Sequence, residues 1–254
     1  MATPPVLFIS DLHLSPVTPG LNNLFFEFLG REARGAAALY ILGDLFDAWI
    51  GDDLLADEEG HGTRIATALN ALSVEGTEIF LLHGNRDFLL GEAFAAAAGA
   101  RLLPDPVILS LPSWQFALSH GDALCTGDRE YQAFRAQVRD PRWQREFLAC
   151  PLAERLALAA QVRQQSEVGK TEKDAGIMDL DPAATDDFLR ANGYATFIHG
   201  HTHRPARHDH LVDGIHVERW VLSDWTEESG AELPAARGEY LLWNGETLER
   251  RPLA

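Results

Sequence analysis

Cysteine is nearly missing from this chain of 254 residues, where only Cys125 and Cys150 occur. Their spacing fits no zinc motif and suits a reducing compartment, so both thiols read as structural rather than reactive. Long apolar runs are missing as well. No stretch approaches the length of a bilayer span, and the opening Met-Ala-Thr-Pro-Pro carries neither a basic start nor a cleavage-type site, so a cytoplasmic protein is expected. Positive charge is scarce: 21 Lys and Arg stand against 38 Asp and Glu, a formal net charge of −17. Phosphate backbones are bound by clustered Lys and Arg, so nucleic acid is excluded as a general partner. The chain also lacks internal repeats and low-complexity linkers.

What is present is apolar substance and a clear rhythm. Hydrophobic residues make up 46% of the chain, enough to bury the core of one domain. Val6–Ser10, Ala38–Leu42 and Glu78–His83 are short apolar runs of the buried-strand kind, with helical stretches near Leu21–Ala33, His61–Val74 and Asp87–Ala98. This alternation implies a parallel sheet with helices on its faces. Strand patterns resume at Val107–Leu109, Gln115–Ser119 and Ala195–His199, then at Ala206–His210, His216–Leu222 and Glu239–Asn244. Between them lies a helical block, broken by Pro141 and Pro151 and continuing to about Lys173, followed by a helix over Pro182–Asn192. Residues 129–173 hold nine Lys and Arg against six Asp and Glu, a basic island in an acidic molecule. Because similar motifs lie on both sides, the block interrupts one domain spanning 1–254 rather than starting a second.

Asp11 and His13 follow the first strand, Asp44 the second, Asn85 the third, His120 a later one, and His201 and His203 the strand after the helical block. Ligands of open α/β sheets gather beyond the carboxyl ends of strands, so these seven metal-competent side chains have a reason to converge. Glycine precedes Asp44, Asn85 and His201, allowing tight turns or close backbone approach. Alternation in Asp11-x-His13 and His201-x-His203 would put both members of each pair on one side if the backbone stays extended. Oxygen and nitrogen ligands without thiolate suit Mn²⁺, Mg²⁺, Fe or Zn²⁺. Seven ligands are too many for one octahedral ion that keeps a water, whereas two ions roughly 3.5–4 Å apart sharing a carboxylate would use them. His83 and His199 end strands and read as core or turn residues, while His61, His208, His210 and His216 read as surface residues.

The ordered set DLH (11–13), GDLFD (43–47), GNRD (84–87), HGD (120–122) and GHTH (200–203) resembles the calcineurin-like metallophosphoesterase superfamily. The resemblance implies an α/β sandwich of two mixed β-sheets flanked by helices. It also implies one metal held by Asp11, His13, Asp44 and His203 and another by Asp44, Asn85, His120 and His201, with Asp44 as the bridge. Asp47 or Asp122 could orient ligand histidines. Where the superfamily has a histidine after the asparagine, this chain has Arg86. A guanidinium stays charged and cannot act as a general acid, but it binds phosphate oxygens bidentately, which favours a leaving group needing no proton.

The longer strings YILGDLFDAWIGDD (40–53), HGNRDFLLG (83–91), YQAFR (131–135), IMD (177–179) and IHGHTHRPA (198–206) are similar to the UDP-2,3-diacylglucosamine pyrophosphatase family of lipid A biosynthesis, from residue 7 to about 225. That resemblance implies dimetal-activated water attacking the α-phosphorus of a UDP-diacylated glucosamine lipid. It implies two Mn²⁺ per chain, other divalent cations being possible, and work at the cytoplasmic face of the inner membrane, with a monomer expected. Asn85, Arg86 and His201 would act at the reacting phosphate, and Asp128, Ser166, Lys170 and Lys173 match substrate-contacting positions, although the family usually has a small polar residue in place of Lys170. Val221–Trp225 reads VLSDW where a glycine-alanine pair is common. The block over 128–181 corresponds to a helical lid that takes the acyl chains. Trp143, Phe147, Leu148, Leu152, Leu156 and Leu158 supply its apolar surface, and Arg139, Arg142, Arg145 and Arg155 are expected to surround it with positive charge suited to anionic headgroups.

Overall fold

The computed structural model describes residues 4–161, 179–228 and 235–253. Four strands, β1 (Val6–Ile9), β2 (Ala38–Leu42), β3 (Glu78–Leu82) and β4 (Ala100–Leu102), pair in parallel through the crossover helices α1 (Pro19–Arg31), α2 (His61–Val74) and α3 (Glu92–Ala97). β1 and β2 are buried throughout, as strands covered on both faces must be, which is why VLFI and ALYIL are continuously apolar. A second sheet is ordered β5 (Val107–Ser110), β6 (Gln115–Ser119), β7 (Thr196–His199), β9 (Ile215–Val221) and β8 (Ala206–Val212), with β6, β7 and β9 parallel. The chain then returns to the first sheet, where β12 (Glu239–Trp243) pairs antiparallel with β1 and β13 (Leu248–Pro252) with β12. β10 (Thr226–Glu227) and β11 (Ala236–Arg237) form a small ribbon. The architecture is two mixed sheets flanked by helices.

Alternation along the strands builds the layers. Leu7, Ile9, Leu39 and Ile41 pack outward against Phe25, Phe28, Ile65 and Leu69 of α1 and α2. Val6, Phe8, Tyr40 and Leu42 face the other way and meet Phe116, Leu118 and Ile198 of the second sheet. The far side of that sheet is covered by α7 (Pro182–Ala191), with Leu189 against Phe197. Full burial of a side chain such as Phe8 contributes about 1.5–3 kcal/mol.

Between β6 and β7 run α4 (Arg129–Val138), α5 (Pro141–Leu148) and helical backbone over 152–161, here α6. Asp128 and Asp140 cap α4 and α5 with their carboxylates, and Pro141 occupies the first turn of α5, where no backbone donor is lost. None of the described helices is long and apolar enough to cross a membrane.

Two expectations change. The third helix starts at Glu92 rather than Asp87, because Asp87 is turned inward and accepts hydrogen bonds from the backbone of Gly84, Asp44 and Leu45. β4 and β13 carried no recognisable pattern: β4 is three residues long, and β13 reads LERRP on the sheet's edge, where exposed faces demand no alternation.

Candidate metal centre

Six of the parallel strands, β1, β2, β3, β6, β7 and β9, end on one rim of the sandwich, and the loops that follow are stitched across both sheets. Asp11 N donates to the Gly43 carbonyl at 3.1 Å, Gly200 N to the His120 carbonyl at 3.1 Å, and Trp225 N to the Asp11 carbonyl at 3.0 Å. The loops approach so closely that a Cβ on Gly84 would overlap Asp44, and one on Gly200 would overlap Asp11. Glycine before Asn85 and His201 is therefore a matter of room.

Five of the seven candidate ligands take left-handed backbone: Asp11 (φ 55°), His13 (49°), Asp44 (53°), His201 (67°) and His203 (54°). Each costs of order 1–2 kcal/mol for a residue with a Cβ, and such strain gathers at functional sites. Backbone hydrogen bonds offset it, Leu12 N and His13 N both donating to the Asp44 carbonyl. The extended alternation expected for Asp11-x-His13 and His201-x-His203 is thus wrong, since the pairs reach one side through consecutive tight turns.

The side chains meet in two adjoining groups. Ligand atoms of Asp11, His13 and His203 form one set within 4.8 Å of one another, and those of Asp11, Asp44 and His120 form a second. His203 Nε2 stands 3.3 Å from Asp11 Oδ1 and 3.3 Å from His13 Nε2. Asn85 Oδ1 lies 3.0 Å from His120 Nε2 and 2.8 Å from His201 Nδ1, adding an amide and a further imidazole to the second set. Asp11 is common to both sets, and Asp44 Oδ2 of the second is 3.9 Å from His13 Nδ1 and 3.8 Å from His120 Nε2.

These spacings suit a cation better than a hydrogen-bonded network. Ligand atoms about 2.1 Å from one ion at angles of 90–130° stand about 3.0–3.8 Å apart, close to what is seen. Asp11 Oδ1 is buried and receives no aligned hydrogen bond. Charge points the same way. Burial, helped by Asp87 and Asp11, pushes the Asp44 carboxyl up to about 7, and burial outweighed by Asp44 and Asp11 leaves His120 pushed up to about 9. His203 is pushed up to about 10, its burial overcome by Asp11 and Asp224, while burial and His120 push His201 down to about 4. Two interior carboxylates thus draw protons onto their neighbours, and divalent cations would serve the same carboxylates. The donor set fits metal ions.

Arg86 borders this cluster. Its backbone N donates to Asp44 Oδ1 at 2.8 Å, its Nε is 4.0 Å from Asp44 Oδ2, and its Nη1 donates to Asp47 Oδ1 at 2.9 Å. Asp47 therefore braces the arginine. Asp122, the other acid expected to orient a histidine, accepts from Tyr131 Oη at 2.6 Å and Arg135 Nε at 2.8 Å, tying α4 to the rim. The Tyr131 ring lies against His201, with centroids 5.7 Å apart. Asp128 caps α4 through Tyr131 N; Ser166, Lys170 and Lys173 lie outside the described residues.

Sequence reasoning missed Asp87, which pins the loops bearing Asp44 and Asn85, and Asp224, whose Oδ2 stands 3.4 Å from His203 Nδ1. Asp224 follows β9, so the rule that led to the other five loops would have led to it. Of the surface histidines expected, His61 is half-buried and bonded to Asn22 at 2.9 Å, and His210 meets Arg219 Nε at 3.1 Å. His83 spans to the Leu90 carbonyl at 2.6 Å. His199 is fully buried, and burial and Arg219 push it down to about 3.

Comparison with known proteins adds an outside reference. The sequence pattern of the family described as calcineurin-like phosphoesterase matches residues 4–205. A UDP-2,3-diacylglucosamine hydrolase of Chromohalobacter salexigens is 50% identical over 227 residues, which cover 89% of this chain and 91% of the relative. One of the same name from Aromatoleum aromaticum is 50% identical over 239 residues, covering 94% and 93%. A third, from Stenotrophomonas maltophilia, is 45% identical over 251 residues, covering 96% and 98%.

Proposed function

The chain belongs to the calcineurin-like phosphoesterase family, and from that premise we propose that it hydrolyses the pyrophosphate bond of UDP-2,3-diacylglucosamine to UMP and 2,3-diacylglucosamine 1-phosphate. The observation that carries this reading is Arg86, a permanent cation set against the cluster and braced by Asp47. Names of relatives at 45–50% identity over nearly the whole chain supply the substrate. In this reading Asp11, His13, Asp44 and His203 would hold one Mn²⁺, and Asp44, Asn85, His120 and His201 would hold another.

Divalent cations held there would supply Lewis acidity, lowering the pKa of a water whose proton passes to solvent and offsetting phosphoryl charge. The chain's own residues do the rest. His201, pushed down to about 4, is neutral near pH 7 and keeps a lone pair to offer. Asn85 Oδ1 is aimed at the same point as His120 Nε2 and His201 Nδ1, so one neutral amide helps hold the centre without adding negative charge. Arg86 presents fixed charge to a non-bridging phosphoryl oxygen and orients it bidentately. Water oxygen bonds to the α-phosphorus as the bond to the bridging oxygen breaks, and the lipid-linked phosphate departs as an anion. No proton has to be delivered to it, which is why an arginine serves where a general acid would otherwise stand.

The insertion over 128–181 would act as a lid in this reading, and Asp128, Ser166, Lys170 and Lys173 would contact the head group, the last three lying outside the described residues. In its described part Leu148, Leu156 and Leu158 are exposed, and so are Arg142 and Arg145, a combination suited to the cytoplasmic leaflet. With added Mn²⁺, a UDP-diacyl sugar, a dinucleoside polyphosphate and a chromogenic diester are offered in parallel. Preference for the first is expected, and equal turnover of all three would refute the assignment.

A further inference from the structure

Asp224 belongs to none of the motifs that brought the cluster to notice. Its backbone is anchored on both sides: Leu222 N donates to the His199 carbonyl at 2.7 Å and Trp225 N to the Asp11 carbonyl at 3.0 Å. Trp225 is itself buried edge-on against Phe25 and Phe28, so the turn is fixed by the core as well as by hydrogen bonds. The Asp224 carboxylate is thereby set between the loop carrying Asp11 and the loop carrying His203. Its Oδ2 lies 3.4 Å from His203 Nδ1, while Nε2 of the same ring faces Asp11 Oδ1 at 3.3 Å. The imidazole is suspended between two carboxylates, one at each nitrogen. His120 is held differently, its Nδ1 facing the uncharged Leu42 carbonyl at 2.9 Å.

We propose that Asp224 is a positioning residue that accepts the His203 Nδ1 proton, commits Nε2 as the ligand atom, and tightens the half of the centre built from Asp11, His13 and His203. The inference rests on the reading of His203 as a metal ligand. A neutral imidazole has one donor and one acceptor nitrogen, and the partner of the donor decides which is which. A carboxylate in that place also makes the other nitrogen a stronger base, which a backbone carbonyl does less well. The two halves of the centre therefore differ in affinity, the His203 half being the tighter. Asp224 is 28% exposed, so its charge stays in contact with water and does not have to be stripped of it to act.

The test is Mn²⁺ binding to the full chain without substrate, followed by electron paramagnetic resonance of the free ion, in wild type, Asp224→Ala, Asp224→Asn and His203→Ala. Circular dichroism melting checks that each variant is folded. Asp224→Ala is expected to weaken one of the two sites roughly 10–100-fold and leave the other as it was. Asp224→Asn still presents an acceptor oxygen to Nδ1 and should recover part of that loss, and turnover of Asp224→Ala should return as Mn²⁺ is raised. Wild-type binding by Asp224→Ala, with a site lost in His203→Ala, overturns the role of Asp224. An Asn variant no better than Ala overturns its role as acceptor. If His203→Ala binds both ions like wild type, the ligand reading beneath the inference falls instead.

Discussion

The rim of the sandwich and the helical insertion lie side by side, yet they are held by opposite means. At the rim Asp11 and His120 are fully buried and Asp44 is 1% exposed, so polar groups are interior and the backbone is strained to put them there. In the described part of the insertion little is interior: Val138 is the buried residue of α4, and α5 has none. Its attachment is polar. Arg135 pairs with Asp122, Arg139 Nη2 donates to the Gly84 carbonyl at 2.9 Å, and Arg155, 2% exposed, donates to the Ile50 and Cys150 carbonyls and pairs with Asp53. Two aromatic contacts, Trp143 on Phe88 and Tyr131 on His201, assist. A site that must hold charge at fixed distances is built from over-determined loops. The described part of the insertion is pinned by arginines to backbone carbonyls.

The sharpest break of this contrast is Asp44→Ala. Turnover should fall by more than about 10³-fold, beyond the cost of one lost oxyanion donor, while the circular dichroism melt stays cooperative because the apolar layers do not include Asp44. Turnover near wild type would sink the bridging role.

Protons offer the next largest effect. With His120 pushed up to about 9 and His203 to about 10, both rings carry protons at pH 7 that an incoming ion must displace. Raised values hold the proton until pH passes them, so apparent Mn²⁺ affinity should rise with pH, by about 10-fold per displaced proton per unit between pH 6 and 8. Calorimetry in buffers of different ionisation enthalpy would count the protons released, and a count of zero contradicts the electrostatic account.

On the insertion side, Arg155→Ala leaves the Ile50 and Cys150 carbonyls without their donor and should cost about 1–3 kcal/mol. Limited proteolysis should open 141–161 first, with Mn²⁺ affinity unchanged. Loss of metal binding in that variant would show that the two regions are less separate than their bonding suggests. Arg86→His adds a proton donor to the rim and should raise turnover of simple phosphomonoesters relative to the pyrophosphate by roughly 10-fold, a fraction of what a positioned acid can supply. An unchanged ratio would undo the leaving-group argument. The smallest effect belongs to Leu156→Ser on the exposed face, where stability should move by less than about 0.5 kcal/mol in urea. Sedimentation with anionic vesicles should nonetheless weaken.

Much of this was legible before any coordinates. Apolar runs that both faces of a sheet must cover mark β1, β2 and β7, and a polar ligand set after each strand marks the rim, because residue type and strand ends are written in order along the chain. The insertion shows where order stops helping. Arg139, Arg142, Arg145 and Arg155 look alike in sequence, yet Arg139 and Arg155 turn inward to carbonyls and only Arg142 and Arg145 face solvent, so the expected ring of positive charge is halved.

The sequence by itself determined the alternation of strands and helices, the interruption between β6 and β7, and the residues able to hold metal. It could do so because periodicity and side-chain chemistry are local. Only the tertiary structure decided that five of those residues would take left-handed backbone, that Asp87 would tie two loops together, and that Asp224, in the loop after β9, would meet His203 in the loop after β7. Those are distances between the ends of neighbouring strands, and they are set by how the sheets pack.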